Sequence, residues 1–444
     1  MRTYRELFRT PGFPPLFALT ATQIAAGTLS SLALGTLIYA RTGSPLLAAL
    51  SMFGSSFAQV VGATLLMSAA DRLRPRAALT LVALTFGVVN LVLAVPGLPL
   101  AVSFALLLVT GLAAALGGGV RYGLLGEILP PGGYILGRSL LTMVDGAMQI
   151  AGFAAGGLLI VLLSARAALV LGGVLCLGAA LIGRLGLADR PPRATGRPSV
   201  RVTWRVNRRL WASPARRPLF LSLWVPNGLV VGAEALFVPY APRTAGALFV
   251  AGALGMIAGD LGVGRLVPHR LRPRLVTPLR FLLAAPYLLF ALPLPAPVAT
   301  LLVAVASTGY GAGLLLQERL IAHTDETMRG QALGLNSSAM MTMQAVGATS
   351  AGLLAQRLPP GPAMAVMGAL SLLVTAALSR GLRLSDPGAG RGKGRARCRR
   401  PRLGSPHAND ACSLLGRAST PVARGPLHSS RLRLRRRALR RRAG

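Results

Sequence analysis

Ala70-Asp71-Arg72-Leu73-Arg74-Pro75-Arg76 is a short basic turn wedged between two long apolar runs. Its Leu-Arg-Pro-Arg core returns at Leu271-Arg272-Pro273-Arg274, again between apolar runs. A charged turn at matching places in two hydrophobic stretches predicts a duplicated membrane bundle. The rest of the chain fills in that outline.

Of the 444 residues 53% are hydrophobic and 14% charged. A soluble domain carries roughly a quarter charged residues. Apolar runs of about 18–25 residues recur, each long enough to cross a hydrocarbon core of about 30 Å. The class is therefore an all-α, multi-pass membrane protein. Forty-eight Lys and Arg against twelve Asp and Glu give a net charge of +36, with much of the excess in the tail. Three cysteines, Cys176, Cys398 and Cys412, show neither metal-ligand spacing nor a disulfide framework. The first apolar run, Pro14 to Ile38, is longer than a signal-peptide core and reads as a retained first helix.

Working outward from the Asp71 turn, twelve spans are expected. Six lie at about 14–38, 46–69, 77–95, 100–120, 139–163 and 167–187, and six at about 219–241, 245–264, 275–293, 296–317, 332–355 and 363–379. This gives an amino-terminal half over 1–187, a basic linker over 188–218, a carboxyl-terminal half over 219–380 and an Arg-rich tail over 381–444. Arg121 to Arg138 reads as a polar connection. The linker has a candidate amphipathic helix around Trp204 to Trp211, lying on the membrane. The tail has almost no apolar pattern and is expected to be disordered; its abrupt change of composition also fits an out-of-frame extension. No specific nucleic-acid role is expected of it.

The halves repeat in sequence. Pro15-Leu16-Phe17 opens the first span and Pro218-Leu219-Phe220 the seventh. Met148-Gln149-Ile150-Ala151-Gly152 matches Met343-Gln344-Ala345-Val346-Gly347, and Gly-Leu-Leu follows at Gly157 and at Gly352. Repeats of this kind characterise transporters whose halves rock about a central site. Arginines concentrate in the amino-terminal lead, the Asp71 turn, 121–138, the linker, 265–274, 319–329 and the tail. The opposite loops offer Arg41, Arg166, Arg243 and Arg357. The first set is expected in the cytoplasm, with both termini, in the cell membrane.

A six-plus-six repeat with a basic linker and an Asp-Arg turn after span two resembles the major facilitator superfamily over residues 5–380. That family's signature runs Gly-x-Leu-Ala-Asp-Arg-x-Gly-Arg-Lys-x-x-Leu. Met67 to Leu79 keeps Ala70, Asp71, Arg72, a basic Arg76 and Leu79, with Met67 and Arg74 at the two glycines. In the second half the aspartate falls on His269, while Arg270 and Arg274 remain. Gly152-Phe153-Ala154-Ala155-Gly156-Gly157 looks like the family's Gly-Pro-x-x-Gly-Gly antiporter stretch with Phe153 at the proline; helix packing alone also explains Gly152, Gly156 and Gly157. The arginine that assists proton coupling in span four falls here on Leu107. Arg121 to Leu159 is closest in pattern to the macrolide and drug efflux branch. The resemblance implies a gating loop made of Asp71, Arg72, Arg76, His269, Arg270 and Arg274. Their competing reading is that they enforce topology.

Charges inside spans cost on the order of 2.5–3.5 kcal/mol at the centre, so each needs a partner or a task. Asp145, Glu234 and Asp260 are the candidates for proton coupling. Asp145 is within reach of Arg121, and Asp260 of Arg265, so ion pairing competes with that role for both. Glu234 has no arginine at its depth except Arg243 beyond the helix end. Gln23, Gln59, Asn90, Gln149, Asn227 and Gln344 are candidates to line a cavity, or to bond between helices. Gly117-Gly118-Gly119 lies in an apolar helix, so no nucleotide site is expected there. No cofactor or metal is expected, and no enzymatic activity.

The expected function is proton-coupled secondary export of a small amphiphilic or hydrophobic compound by alternating access, with a monomer as the working unit. Small-molecule substrate, protons and anionic lipid headgroups at the basic loops are the expected partners. The alternatives are an importer of a small metabolite on the same fold and a non-transporting membrane scaffold or sensor. If Asp71 latches its loop to the other half, Asp71→Asn lowers transport in membrane vesicles while immunoblots show unchanged membrane abundance. Unchanged transport removes the latch.

Overall fold

The computed structural model describes residues 4–59, 61–62, 73–191, 200–268, 270–325 and 328–384. The described residues belong to one compact unit. Every regular element among the described residues is helical. Within a bilayer, backbone N–H and C=O groups have no water to bond to, and a helix satisfies them within itself. Ten of the described helices are long and apolar enough to cross a membrane.

After a short helix at Tyr4–Arg9, span one is Phe13–Thr42. Span two begins with Pro45–Phe53, and its remainder lies mostly outside the described residues. Spans three to six are Pro75–Leu93, Leu100–Ile128, Pro131–Leu162 and Ala165–Gly186. The linker carries a helix at Val200–Ala212. Span seven is Arg217–Glu234 with a short continuation at Phe237–Tyr240, and span eight is Ala245–Leu261 closed by a π-wound turn at Gly262–Leu266. Span nine is Arg272–Ala284 continued as 3₁₀ to Ala291. Span ten runs Ala296–Ala322 with a 3₁₀ turn at Gly309–Gly311; spans eleven and twelve are Arg329–Leu354 and Pro360–Leu384.

The short turns follow from capping chemistry. Gly43, at φ 62°, ends span one in a left-handed conformation, and its N–H donates to Tyr39 O at 2.8 Å. Ser44 then caps span two by accepting the Leu47 N–H at 3.3 Å, with Pro45 at the first helical position. Ser164 does the same for span six, accepting from Ala167 at 3.1 Å. The two Leu-Arg-Pro-Arg copies act alike. Pro75 and Pro273 each sit in the first turn of their spans, where a missing N–H is harmless.

Arg121 to Arg138 is not an open polar connection. Span four continues as helix through Ile128 and span five starts at Pro131, so only Leu129 and Pro130 interrupt them. The residue before a proline is pushed to extended backbone, and Leu129 adopts φ −103° and ψ 138°. Arg121 and Tyr122 therefore lie on a helix face.

The sequence repeat is also a structural one. Gly152 in span five packs on Thr28 and Ala25 of span one, and Gly347 in span eleven packs on Gly228 of span seven. Matching pentapeptides thus end in glycines that admit the first span of their own half. Helix pairs of this kind in lipid rely on small residues that bring backbones together.

The halves meet at the arginine-poor end of the bundle. Spans five and eight cross where a Cβ on Gly157 would stand 2.9 Å from Gly246 Cα. One turn deeper, Phe153 and Phe249 stack with centroids 4.5 Å apart. Spans two and eleven pack through Ala49 and Ala348, with Ala235 of span seven and Phe53 beside them. A Cβ on Gly352 would come within 2.7 Å of Leu46 Cα. At the opposite end the linker helix docks on the second half: Gln331 donates to Asn207 at 2.8 Å, and Trp211 stacks on Trp224 at 5.5 Å.

Filling a site this tight costs about 1–3 kcal/mol, which shifts a two-state equilibrium roughly 5- to 150-fold. Gly157→Leu is therefore expected to disfavour closure of the arginine-poor end. An Ala49→Cys/Ala348→Cys pair should cross-link readily in the parent sequence and several-fold less in the Gly157→Leu background. Equal cross-linking rejects the role assigned to this glycine pair.

Candidate functional site

The helices place two charged groups of residues inside the bundle, one in each half. In the first half, Arg121 of span four meets Asp145 of span five, Nη2 to Oδ2 at 3.5 Å, the pairing that competed with a proton-coupling role for Asp145. The guanidinium also donates to Tyr122 Oη at 3.2 Å and lies over that ring, 4.8 Å from its centroid. Arg138 approaches the same ring at 5.3 Å. The pair is incompletely satisfied. Asp145 Oδ1 and Arg121 Nε are both sealed from solvent without a hydrogen-bond partner.

In the second half, Glu234 of span seven is held by two tyrosines. Tyr310 of span ten donates its hydroxyl to Glu234 Oε1 at 3.1 Å, and Tyr287 of span nine donates to the same oxygen at 3.4 Å. Among the described residues no cation reaches Glu234; Arg243 is exposed beyond the helix end. Glu234 as a residue is partly exposed, while Tyr287 is fully buried. Arg280 of span nine is 3% exposed, with an Nε that lacks an acceptor. Tyr287, Tyr310 and Arg280 were not among the residues singled out by sequence. Arg280 lies in the α-helical part of span nine and Tyr287 in its 3₁₀ continuation.

Asp260 and Arg265 do not pair. Arg265 lies in the π-wound turn Gly262–Leu266 and is exposed, while Asp260 keeps partial exposure without an ion-pair or hydrogen-bond partner among the described residues. The extra residue of the π turn changes the register that α-helical spacing assumes. Instead Arg272 closes this end of span eight, donating to Gly264 O at 3.2 Å and Val267 O at 3.3 Å.

For the loop signature, Asp71, Arg72 and His269 lie outside the described residues. Arg270 and Arg274 are exposed, and Arg76 is partly buried with an unpartnered Nε. The first arginine of each Leu-Arg-Pro-Arg copy forms the ion pair. Arg74 meets Asp189 at 2.9 Å, and Arg272 meets Glu318 at 3.4 Å. Both pairs are partly exposed, and such pairs contribute about 0–1 kcal/mol. They tie spans three and nine to their own halves.

The candidate cavity residues divide. Gln23, Gln59, Gln149 and Gln344 keep partial exposure, and Gln23, Gln149 and Gln344 sit near the middle of spans one, five and eleven. Asn90 and Asn227 are both 6% exposed, and each retains one sealed, unpaired polar atom. Two clefts of about 230 and 210 Å³ are found elsewhere. One lies at the arginine-poor end beside Tyr240 and Thr244, the other on an apolar flank between spans three and four. Neither contains the charged groups. No group of metal-binding side chains occurs among the described residues.

The family model described as Major Facilitator Superfamily matches residues 16–317. Among solved structures, a mutant of the nucleoside transporter NupG superposes with a TM-score of 0.65 at 13% identity, covering 84% of this chain and 98% of that one. A bacterial homolog of the human lysosomal transporter Spinster, inward-facing and unoccupied, gives 0.62 at 14% identity, with 87% and 96% covered. A POT family transporter in complex with 5-aminolevulinic acid gives 0.65 at 11%, with 84% and 96% covered. No curated protein matches the sequence. With two six-span halves that repeat in both sequence and packing, the chain is a multi-pass membrane transporter and belongs to the major facilitator superfamily.

Proposed function

We propose that this transporter is proton-coupled and exports a small amphiphilic or hydrophobic compound, with Glu234 as the coupling carboxyl. The observation that carries the reading is the setting of Glu234. It lies in a membrane span, partly exposed, held through Oε1 by two tyrosine hydroxyls, with no cation in direct contact among the described residues. An ionised carboxylate without a cation is costly in low dielectric, whereas a protonated one is compatible with hydroxyl neighbours. Asp145, by contrast, already faces Arg121 and is assigned a positioning role. Export rests on the composition of the spans, whose candidate cavity positions are few and mostly uncharged.

In this reading the protein resides in the cell membrane as a monomer, with both termini in the cytoplasm. The closed arginine-poor end then faces outward. The exposed Arg205, Arg208 and Arg209 of the linker helix suit anionic headgroups. Import of a polar metabolite is the second reading. It is favoured by the unpaired Asp145 Oδ1, Arg121 Nε and Asn227 Oδ1, which a polar solute would satisfy. Two structurally similar proteins, a nucleoside transporter and a transporter bound to 5-aminolevulinic acid, handle solutes of that kind.

Inverted membrane vesicles given dyes in the external medium, ethidium first, distinguish these. Proton-driven export predicts energised dye accumulation that a protonophore collapses. Glu234→Gln should reduce accumulation to the protonophore level while dye exchange without a gradient continues. Accumulation in Glu234→Gln equal to the parent removes Glu234 from coupling. Energised uptake of nucleosides or amino acids by intact cells, with no dye movement, selects the import reading.

A further inference from the structure

Arg280 is buried deep in span nine, and its charge has no assigned partner. Guanidinium keeps its proton in proteins, so a cation resides here permanently, and a buried ion is stable only with a compensating group. No ion pair or hydrogen bond reaches Arg280 among the described residues, and its Nε is sealed from solvent. Span ten packs against span nine at this level: Gly309, the residue before Tyr310, lies against Leu279 O and Leu283, which flank Arg280 in the chain. The Tyr310 hydroxyl bonds Glu234 at 3.1 Å.

The other elements around span seven offer no competing charge. Span eleven has no charged residue between 330 and 354, nor span twelve between 360 and 379. Span ten carries Glu318, already paired with Arg272, and Arg319, which donates to Pro273 O and Leu382 O. Tyr287 contacts Glu234 directly. Asp260 of span eight forms no pair among the described residues.

We infer that Arg280 is the buried counter-charge of Glu234, coupled to it through Tyr310. This deepens the proposed coupling role of Glu234 and rests on it. When Glu234 releases its proton, the O–H bond breaks, the proton passes to water and the electron pair stays on the carboxylate. Tyr310 and Tyr287 hold that carboxylate by hydrogen bonds to Oε1, and the guanidinium beyond Tyr310 balances its charge. The site is thus positive when Glu234 is protonated and neutral when it is not. Arg280 acts as a positioning residue, since it touches neither the proton nor a substrate.

The test uses purified full-length protein in detergent and needs no substrate. Thermal unfolding midpoints are measured at pH 8.5 for Glu234→Gln, Arg280→Gln and the double variant. Each single neutralisation leaves the other charge unbalanced and should lower the midpoint by about 3–6 °C. The double variant should recover to within about 1 °C of the parent, a non-additivity expected only of coupled sites. Arg280→Lys should retain the parent midpoint. Tyr310→Phe should make the two neutralisations additive, and Asp260→Asn should leave the coupling intact. If Arg280→Gln alone fails to accumulate, its recovery in the Glu234→Gln background is the same supporting result, and failure there overturns the inference. Additive single effects, or coupling that Asp260→Asn abolishes, also overturn it. Dye accumulation by Glu234→Gln vesicles separately judges the coupling reading, so each idea can fail without obscuring the other.

Discussion

The bundle depends on helices approaching until backbone meets backbone. Lipid is as apolar as leucine, so burying apolar side chains gives little drive for helix association in a membrane. Dispersion between closely packed atoms has to supply it, and that favours glycine where helices cross. Gly152 admits span one, Gly347 admits span seven, and the mutual approach of Gly157 and Gly246 brings the two halves together. The first two contacts build each half. The third lies between halves, at the arginine-poor end, and is backed by the Phe153–Phe249 stack. The same small residue thus serves permanent packing within a half and, between halves, a seam of limited extent.

Electrostatics divides the halves differently. The first half holds a carboxylate facing a cation, Asp145 with Arg121, in a ring-stacked setting with Tyr122. The second half separates its charges, with two tyrosine hydroxyls on Glu234 and Arg280 set apart. A direct ion pair resists any change in protonation, because losing one charge strands the other. A carboxyl bonded only by hydroxyls lacks that restraint. The pseudo-symmetric fold therefore carries an asymmetric charge distribution, with a direct ion pair in the first half and a hydroxyl-bonded carboxyl in the second.

Much of the architecture was legible in the sequence. The Leu-Arg-Pro-Arg copies, the matching Met-Gln pentapeptides and the length of the apolar runs each report a local necessity: a helix start, a crossing point, a bilayer thickness. The Arg121–Asp145 pair was legible for a similar reason, since loop length fixes which residues share a depth. The tyrosines of the second site were not. Tyr287 and Tyr310 stand in apolar runs where an aromatic residue usually only fills space, and no local pattern reveals a hydroxyl that bonds a residue 53 or 76 positions away. Arg280 lies inside the expected ninth span and was not singled out, because the search of the spans for charge turned on carboxylates. The Asp260–Arg265 expectation failed because it assumed α-helical register across a turn that is π-wound.

The two observations meet in the geometry of span seven. Glu234 is its last α-helical residue, and the chain turns there into the short helix Phe237–Tyr240. Ala235, the next residue, packs with Ala49 and Ala348 in the seam between halves, and Phe237 packs edge-on against Phe249 at 5.0 Å. The carboxyl and the closing surface are thus consecutive along one backbone. A change in the hydrogen bonds that hold Glu234 acts on the residues that seal the arginine-poor end, with no intervening element to transmit it. Backbone continuity is the shortest physical link available between Glu234 and that seam.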